Sequence, residues 1–165
     1  MGEGTIGQAD AGSMLDELEA QEAQLQFTRF DNDVAWALGV RLVEAARRQG
    51  LPLVVCVRRG AQLLFHAALP GTAPDNDAWL LRKCRVVERF GKSSYRVGAE
   101  CSARGRSFEE TYRLDPDTFA AHGGAFPVTV PGVGVVGVVA VSGLPQAHDH
   151  AFVVEELRGF LQSSR

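Results

Sequence analysis

Four places in the chain carry residues with chemistry to offer. Lys83 falls in a helical pattern four residues after Trp79, on the face that also carries Val86, Val87 and Phe90. A lysine on an apolar face either snorkels its ammonium to the edge or holds an anion or a carboxylate. Ser93-Ser94 opens the next helix, whose first N–H groups carry partial positive charge. Their hydroxyls can also serve simply as caps. In His122-Gly123-Gly124 the glycines can close a short helix. Alternatively their bare amides form an anion-holding nest, with His122 beside it to donate or accept a proton. In His148-Asp149-His150 two histidines flank a carboxylate at i, i+2. Without a further ligand that triplet makes no metal site, and none is expected. Lys83, the serine pair and the glycine turn together predict one pocket for an anionic or polar small molecule. No activated nucleophile, Walker loop or helically spaced carboxylate pair accompanies them, so binding is expected ahead of catalysis.

One motif misleads. Gly132-Val-Gly134-Val-Val-Gly137 spells G-x-G-x-x-G. A dinucleotide site needs a helix to begin inside that pattern. Here valines follow, and they favour strand. The spacing instead predicts a hairpin of Phe126–Val130 and Val135–Val141 about the turn Gly132-Val133-Gly134.

Residues 1–12 are small and polar and predict a flexible tail, with residues 13–165 as one domain. A short helix is expected over Met14–Gln24, opened by Ser13. A longer one starts at Asp31 or Asp33 and runs to Gln49, stopped by Gly50. It is apolar around most of its circumference, which calls for cover on more than one side, from a partner copy or from another helix of the same chain. Leu53–Arg58 and Gln62–Ala68 read as a hairpin about Arg59-Gly60. The first of these is apolar throughout and belongs in the sheet centre. A helix capped by Asp75 or Asp77 ends at Gly91 and presents Arg82, Arg85 and Arg89 to solvent. Ser93 caps a helix to Arg104. Loose turns follow over Phe108–Leu114, then a short helix Pro116–Ala121. The last helix is Asp149–Phe160, capped by Asp149.

Composition excludes several classes. The net charge of -3 offers no basic surface for nucleic acid. The longest apolar run is broken by Pro127, Pro131 and glycines, so no membrane span is expected. Met1-Gly-Glu-Gly-Thr-Ile-Gly7 lacks a basic start followed by an apolar core, so no signal peptide is expected. The odd set Cys56, Cys84 and Cys101 reads as reduced thiols in a cytoplasmic protein.

Ala121-His-Gly-Gly-Ala-Phe-Pro-Val128, Gly134-Val-Val-Gly137, Val141-Ser-Gly-Leu-Pro-Gln146 and Asp149-His150 resemble the GlcG/HbpS-like "haem-degrading" domain proteins, in particular their small stand-alone branch. Trp79-Leu-Leu-Arg-Lys83 and Phe90-Gly-Lys-Ser-Ser94 are similar to that branch too. The likeness runs from about Phe30 to Leu161. It implies an α/β (α+β) domain with a central antiparallel sheet of four or five strands flanked by helices, profilin-like, and assembly into homo-oligomers. It implies haem binding in some relatives. Carried over by position, the functional residues are Lys83, Ser93 and Ser94 in the helical motif, and His122, Gly123, Gly124, Ser142, Gly143, Asp149 and His150 in the C-terminal one. The expectation is a cytoplasmic homo-oligomeric small-molecule-binding protein with its pocket near His122-Gly123-Gly124. The alternatives are a haem-binding or haem-degrading protein, with His66, His122, His148, His150 and Tyr95 as candidate axial ligands, and an oligomeric scaffold without ligand.

Overall fold

A computed structural model describes residues 6–164. Helix α1 spans Ile6–Gln24 and α2 spans Asn32–Gln49; strands β1 (Val54–Arg59) and β2 (Gln62–Ala68) follow. Helices α3 (Pro74–Phe90), α4 (Ser94–Ala103) and α5 (Phe108–Tyr112) come next, then strands β3 (Ala125–Val130) and β4 (Gly134–Ser142) and the final helix α6 (Gln146–Ser163). The four strands form one antiparallel sheet in the order β2-β1-β4-β3. The Gly132–Gly137 stretch lies in the β3–β4 hairpin and not in a helix.

Alternation along the central strands builds two cores. Val55, Val57, Val139 and Val141 face α2 and α6 in the larger one. Val54, Cys56, Val138 and Ala140 face Leu80, Cys84 and Val87 of α3 in the smaller. β1 is therefore buried on both faces, as its unbroken apolar sequence requires. Pro127 sits in the edge strand β3, where a missing N–H does no harm. Gly39 lets α2 approach β2, because a Cβ there would run into the Phe65 ring.

Several local expectations are corrected. Of the expected tail, residues 1–5 lie outside the described residues and residues 6–12 are helical, which puts Ser13 inside α1. α3 begins earlier than Asp75, with Ala73 as N-cap and Pro74 at the first position; the Asn76 side chain accepts from the Ala73 amide at 2.8 Å. Residues 116–118 form only a hydrogen-bonded turn, closed by Phe119 N donating to Asp115 O at 3.0 Å. Arg82 and Arg85 are not simply solvated, since they donate to the Pro116 and Thr118 carbonyls of that turn. α2 packs on β1 and β2 with α6 of the same chain beside it on β3 and β4, so most of its apolar surface is covered within the protomer. Trp36 is the exception, 62% exposed, with Leu63 of edge strand β2 48% exposed.

Candidate functional site

Lys83 is the centre of the site. It lies two turns into α3, on the face that packs on the sheet, and is 3% exposed. Its ammonium has three N–H donors and three acceptors: Val141 O at 2.8 Å, Gly123 O at 3.0 Å and Asp149 Oδ2 at 3.1 Å. One cation thus joins α3, the chain entering β3, the end of β4 and α6. Burial pulls the lysine below its usual value and Asp149 pulls it back up. Burial likewise raises Asp149, against Lys83 and the amides of Leu144 and Gly143.

Asp149 is not the cap of α6. The helix starts one turn earlier, at Gln146, after Pro145. The carboxylate instead accepts from the Leu144 and Gly143 amides at 3.0 and 3.4 Å. It therefore holds the loop that leads into the helix as well as Lys83.

Beside this pair, between α3 and the ends of β3 and β4, lies a cavity of about 240 Å³. Trp79, Lys83, His122, Gly123, Ser142 and Asp149 line it, with Asp75, Asn76, Gly143, Leu144 and Gln146 completing the wall. The His122 and Trp79 rings meet edge to face at 5.2 Å. Burial lowers the His122 pKa, and the Lys83 and Arg82 charges add to that against the pull of Glu109. The imidazole is neutral at neutral pH.

The expected nest is partly filled from within. The Gly123 amide donates to Gln146 Oε1 at 3.1 Å. Gly124 lies behind the pocket wall, at φ +133, where a Cβ would come within 2.5 Å of Lys83 Nζ and Val141 O. These glycines close no helix, since β3 begins directly after them. They permit the approach of backbone to ammonium.

The other expected site residues lie elsewhere. Ser93 is the N-cap of α4, its Oγ accepting from the Arg96 amide at 3.1 Å. Ser94 Oγ accepts from the Ala125 amide at 3.1 Å and ties α4 to β3. Both are fully buried and neither lines the cavity. His150 is 5% exposed, its Nε2 is 2.8 Å from Gln21 Oε1, and its ring lies against Tyr95. Burial lowers its pKa to about 4, so it too is neutral. His66 pairs with Asp77 at 2.6 Å. Of the expected set, the structure brings Lys83, His122, Gly123, Ser142, Gly143 and Asp149 to one cavity and leaves out Ser93, Ser94, Gly124 and His150. Sequence reading missed Trp79 as a wall, although its i, i+4 relation to Lys83 puts it on the same helix face. Gln146 is marked in the sequence only as the last residue of the Val141–Gln146 motif, with no role assigned to it.

Residues 30–158 match the family described as Haem degrading protein HbpS-like. The chain belongs to this family. A UPF0303 protein of Streptomyces coelicolor is 63% identical to it over 145 residues, covering 88% of this chain and 92% of the relative. The structure titled "Crystal structure of Ybr137w protein" superposes with a TM-score of 0.86 at 27% identity, over 99% of this chain and 98% of the other. The structure titled "Crystal Structure of PduOC:Heme Complex" shares the fold, with a TM-score of 0.67 at 13% identity over 78% of this chain and 93% of the other. The HbpS-like match starts at residue 30 and so leaves α1 outside it. No helix among the described residues is long and apolar enough to cross a membrane.

Proposed function

We propose that this HbpS-like chain is a cytoplasmic, homo-oligomeric small-molecule-binding protein, with its site in the cavity beside Lys83. One observation carries the reading. The Trp79–His122 wall faces polar groups of Gly123, Ser142 and Gly143 across a cavity whose floor is fixed by the Lys83–Asp149 pair. Small-molecule sites combine an aromatic wall with a few convergent polar groups in this way. The anionic version of the ligand loses its motive, because the lysine charge is already matched by Asp149. A neutral or cationic polar molecule suits a wall that also carries Asp75. No nucleophile with an activating base lines the cavity, so the function is binding. A fragment screen read by amide and indole NMR tests the site. Hits are expected to shift Trp79 Nε1–H and the Gly123 and Gly143 amides. Trp79→Ala should weaken those hits by about fivefold or more, as truncation of a central aromatic anchor does. Hits confined to other residues would remove the proposal.

Haem is the second reading, favoured by the family description and by His122. Among the described residues His122 is the histidine that both lines a cavity and lacks a hydrogen-bond partner. The remaining wall does not suit the group. A porphyrin needs an apolar slot for its faces and cationic partners for its propionates, whereas this wall is polar and carries Asp75 and Asp149. His66 and His150 do not line this cavity, and their Nε2 atoms are held by Asp77 and Gln21. The expected result of haemin titration is no saturable Soret shift dependent on His122.

Assembly is supported by Trp36 and Leu63, two large apolar side chains exposed beside Phe65, whose ring meets Trp36 at 5.5 Å. Reduced, buried Cys56, Cys84 and Cys101 support the cytoplasmic location. Light scattering at micromolar concentration should give a multiple of the 17.8 kDa chain mass. Trp36→Glu should lower that mass. A wild-type monomer would overturn the assembly claim.

A further inference from the structure

We propose that the cavity beside Lys83 is one half of a bipartite site for an elongated aliphatic diamine. The inference rests on the small-molecule reading above and names its ligand class. A second cavity, of about 300 Å³, lies across the His122-Gly123 segment, among α1, α4 and α5. Met14, Tyr95, Phe108 and Glu109 line it, and it shares His122 and Gln146 with the first cavity. The His122 side chain is exposed at this shared rim. A flexible chain can therefore cross from one half to the other along the surface without opening the core.

Charge selects the ligand. Lys83 is neutralised by Asp149 and saturated by two carbonyls. The charged lining groups left are Asp75 in the first half and Glu109 in the second, both exposed and neither in an ion pair among the described residues. His122 stands between them. An ammonium at each end of the ligand meets one carboxylate in each half. The methylenes between cross His122, with Trp79 as apolar wall on one side and Met14, Tyr95 and Phe108 on the other. Arg82 already covers one face of Trp79, its guanidinium 4.2 Å from the ring centroid and bonded to Pro116 O. In the first half the ammonium is thus held by Asp75 and not by the ring face. A dicarboxylate would meet like charge in both halves.

The test is calorimetric titration of the full-length protein with α,ω-diaminoalkanes from diaminopropane to diaminooctane, beside alkyl monoamines, a dicarboxylate and a neutral polyol. The expected result is an optimum chain length among the diamines. Asp75→Asn and Glu109→Gln should each weaken the best diamine by about three- to fivefold, the loss of one exposed charge pair at roughly 0.6–1 kcal/mol. The weakening should shrink at high salt. Affinity independent of length, a monoamine binding as tightly as the best diamine, or preference for the dicarboxylate would each overturn the inference. If diamines fail while the polyol binds and depends on Trp79, the diamine inference falls and the small-molecule reading stands. If no probe binds in a Trp79-dependent way, both fall.

Discussion

Lys83→Met should cost the fold about 3–5 kcal/mol, the loss expected when one partner of a buried ion pair is removed. The methionine has nearly the right shape, so the loss is electrostatic. It leaves Asp149, 2% exposed, as a buried carboxylate with only the Leu144 and Gly143 amides. It also leaves the Gly123 and Val141 carbonyls without their donor. Domains of this kind hold about 5–15 kcal/mol in total, so the drop is a large share of it. The pair itself is no strong source of stability. Burial moves Lys83 down and Asp149 up, both toward the neutral forms, so desolvation outweighs attraction. Adding Asp149→Asn to Lys83→Met should therefore recover most of the loss, since the amide oxygen can still accept from Leu144 without a charge. Urea unfolding midpoints of the wild type, the single and the double variant decide it. A single variant within about 1 kcal/mol of wild type would show that the ammonium is not the clamp described here.

The second large effect is on acid stability. His150 has a folded-state pKa of about 4 because it is buried, against an unfolded value near 6.5. Between those values the unfolded chain binds the extra proton and the folded chain does not. Stability contributed by the neutral ring is complete above about pH 6.5 and is lost as pH falls toward 4, up to about 3 kcal/mol. Asp149 and Glu22, both raised by burial, act in the opposite direction as they take up protons. The comparison that isolates His150 is the slope of stability against pH between about 6.5 and 4, in wild type and in His150→Gln. The variant should be markedly flatter. Because Gln21 of α1 is the hydrogen-bond partner of His150, hydrogen-exchange protection factors in α1, corrected for the intrinsic slowing of exchange in acid, should drop as pH falls over the same range. Equal slopes in the two proteins would place the acid sensitivity elsewhere.

The elements were legible because their signals are local. Unbroken β-branched apolar runs in Leu53–Arg58 and Val135–Val141 can be read from a short window as strands, while which side chains face α2 and which face α3 follows from the pleat only once the sheet is formed. The β3–β4 hairpin was legible because the valines of Gly132–Gly137 favour strand over helix. Element starts were less so. Asp149 carries a helix-capping residue type, yet it lies inside the first turn of α6, where its carboxylate holds Lys83, 66 residues away in the chain, together with the Gly143 and Leu144 amides of the preceding loop. Ser93 shows the reverse: it was read correctly as a cap, whereas Ser94 ties α4 to β3, and the anion near their helix is Glu22 of α1, which the Arg96 guanidinium holds at 3.2 Å.

What the sequence by itself determined is the two hairpins and the long helices between and after them, the burial of β1, and the presence of a lysine where a cation needs a partner. Those follow from side-chain type and spacing, which act over a few residues. Only the tertiary structure decided who the partner is. Lys83 meets Gly123, Val141 and Asp149 across separations of 40, 58 and 66 residues, and no local pattern encodes a contact that depends on how three elements pack. The same packing turned a lysine that looked free to take an anion into a neutralised clamp. It also left Trp79 and His122 lining the cavities, with Asp75 and Glu109 in no ion pair among the described residues.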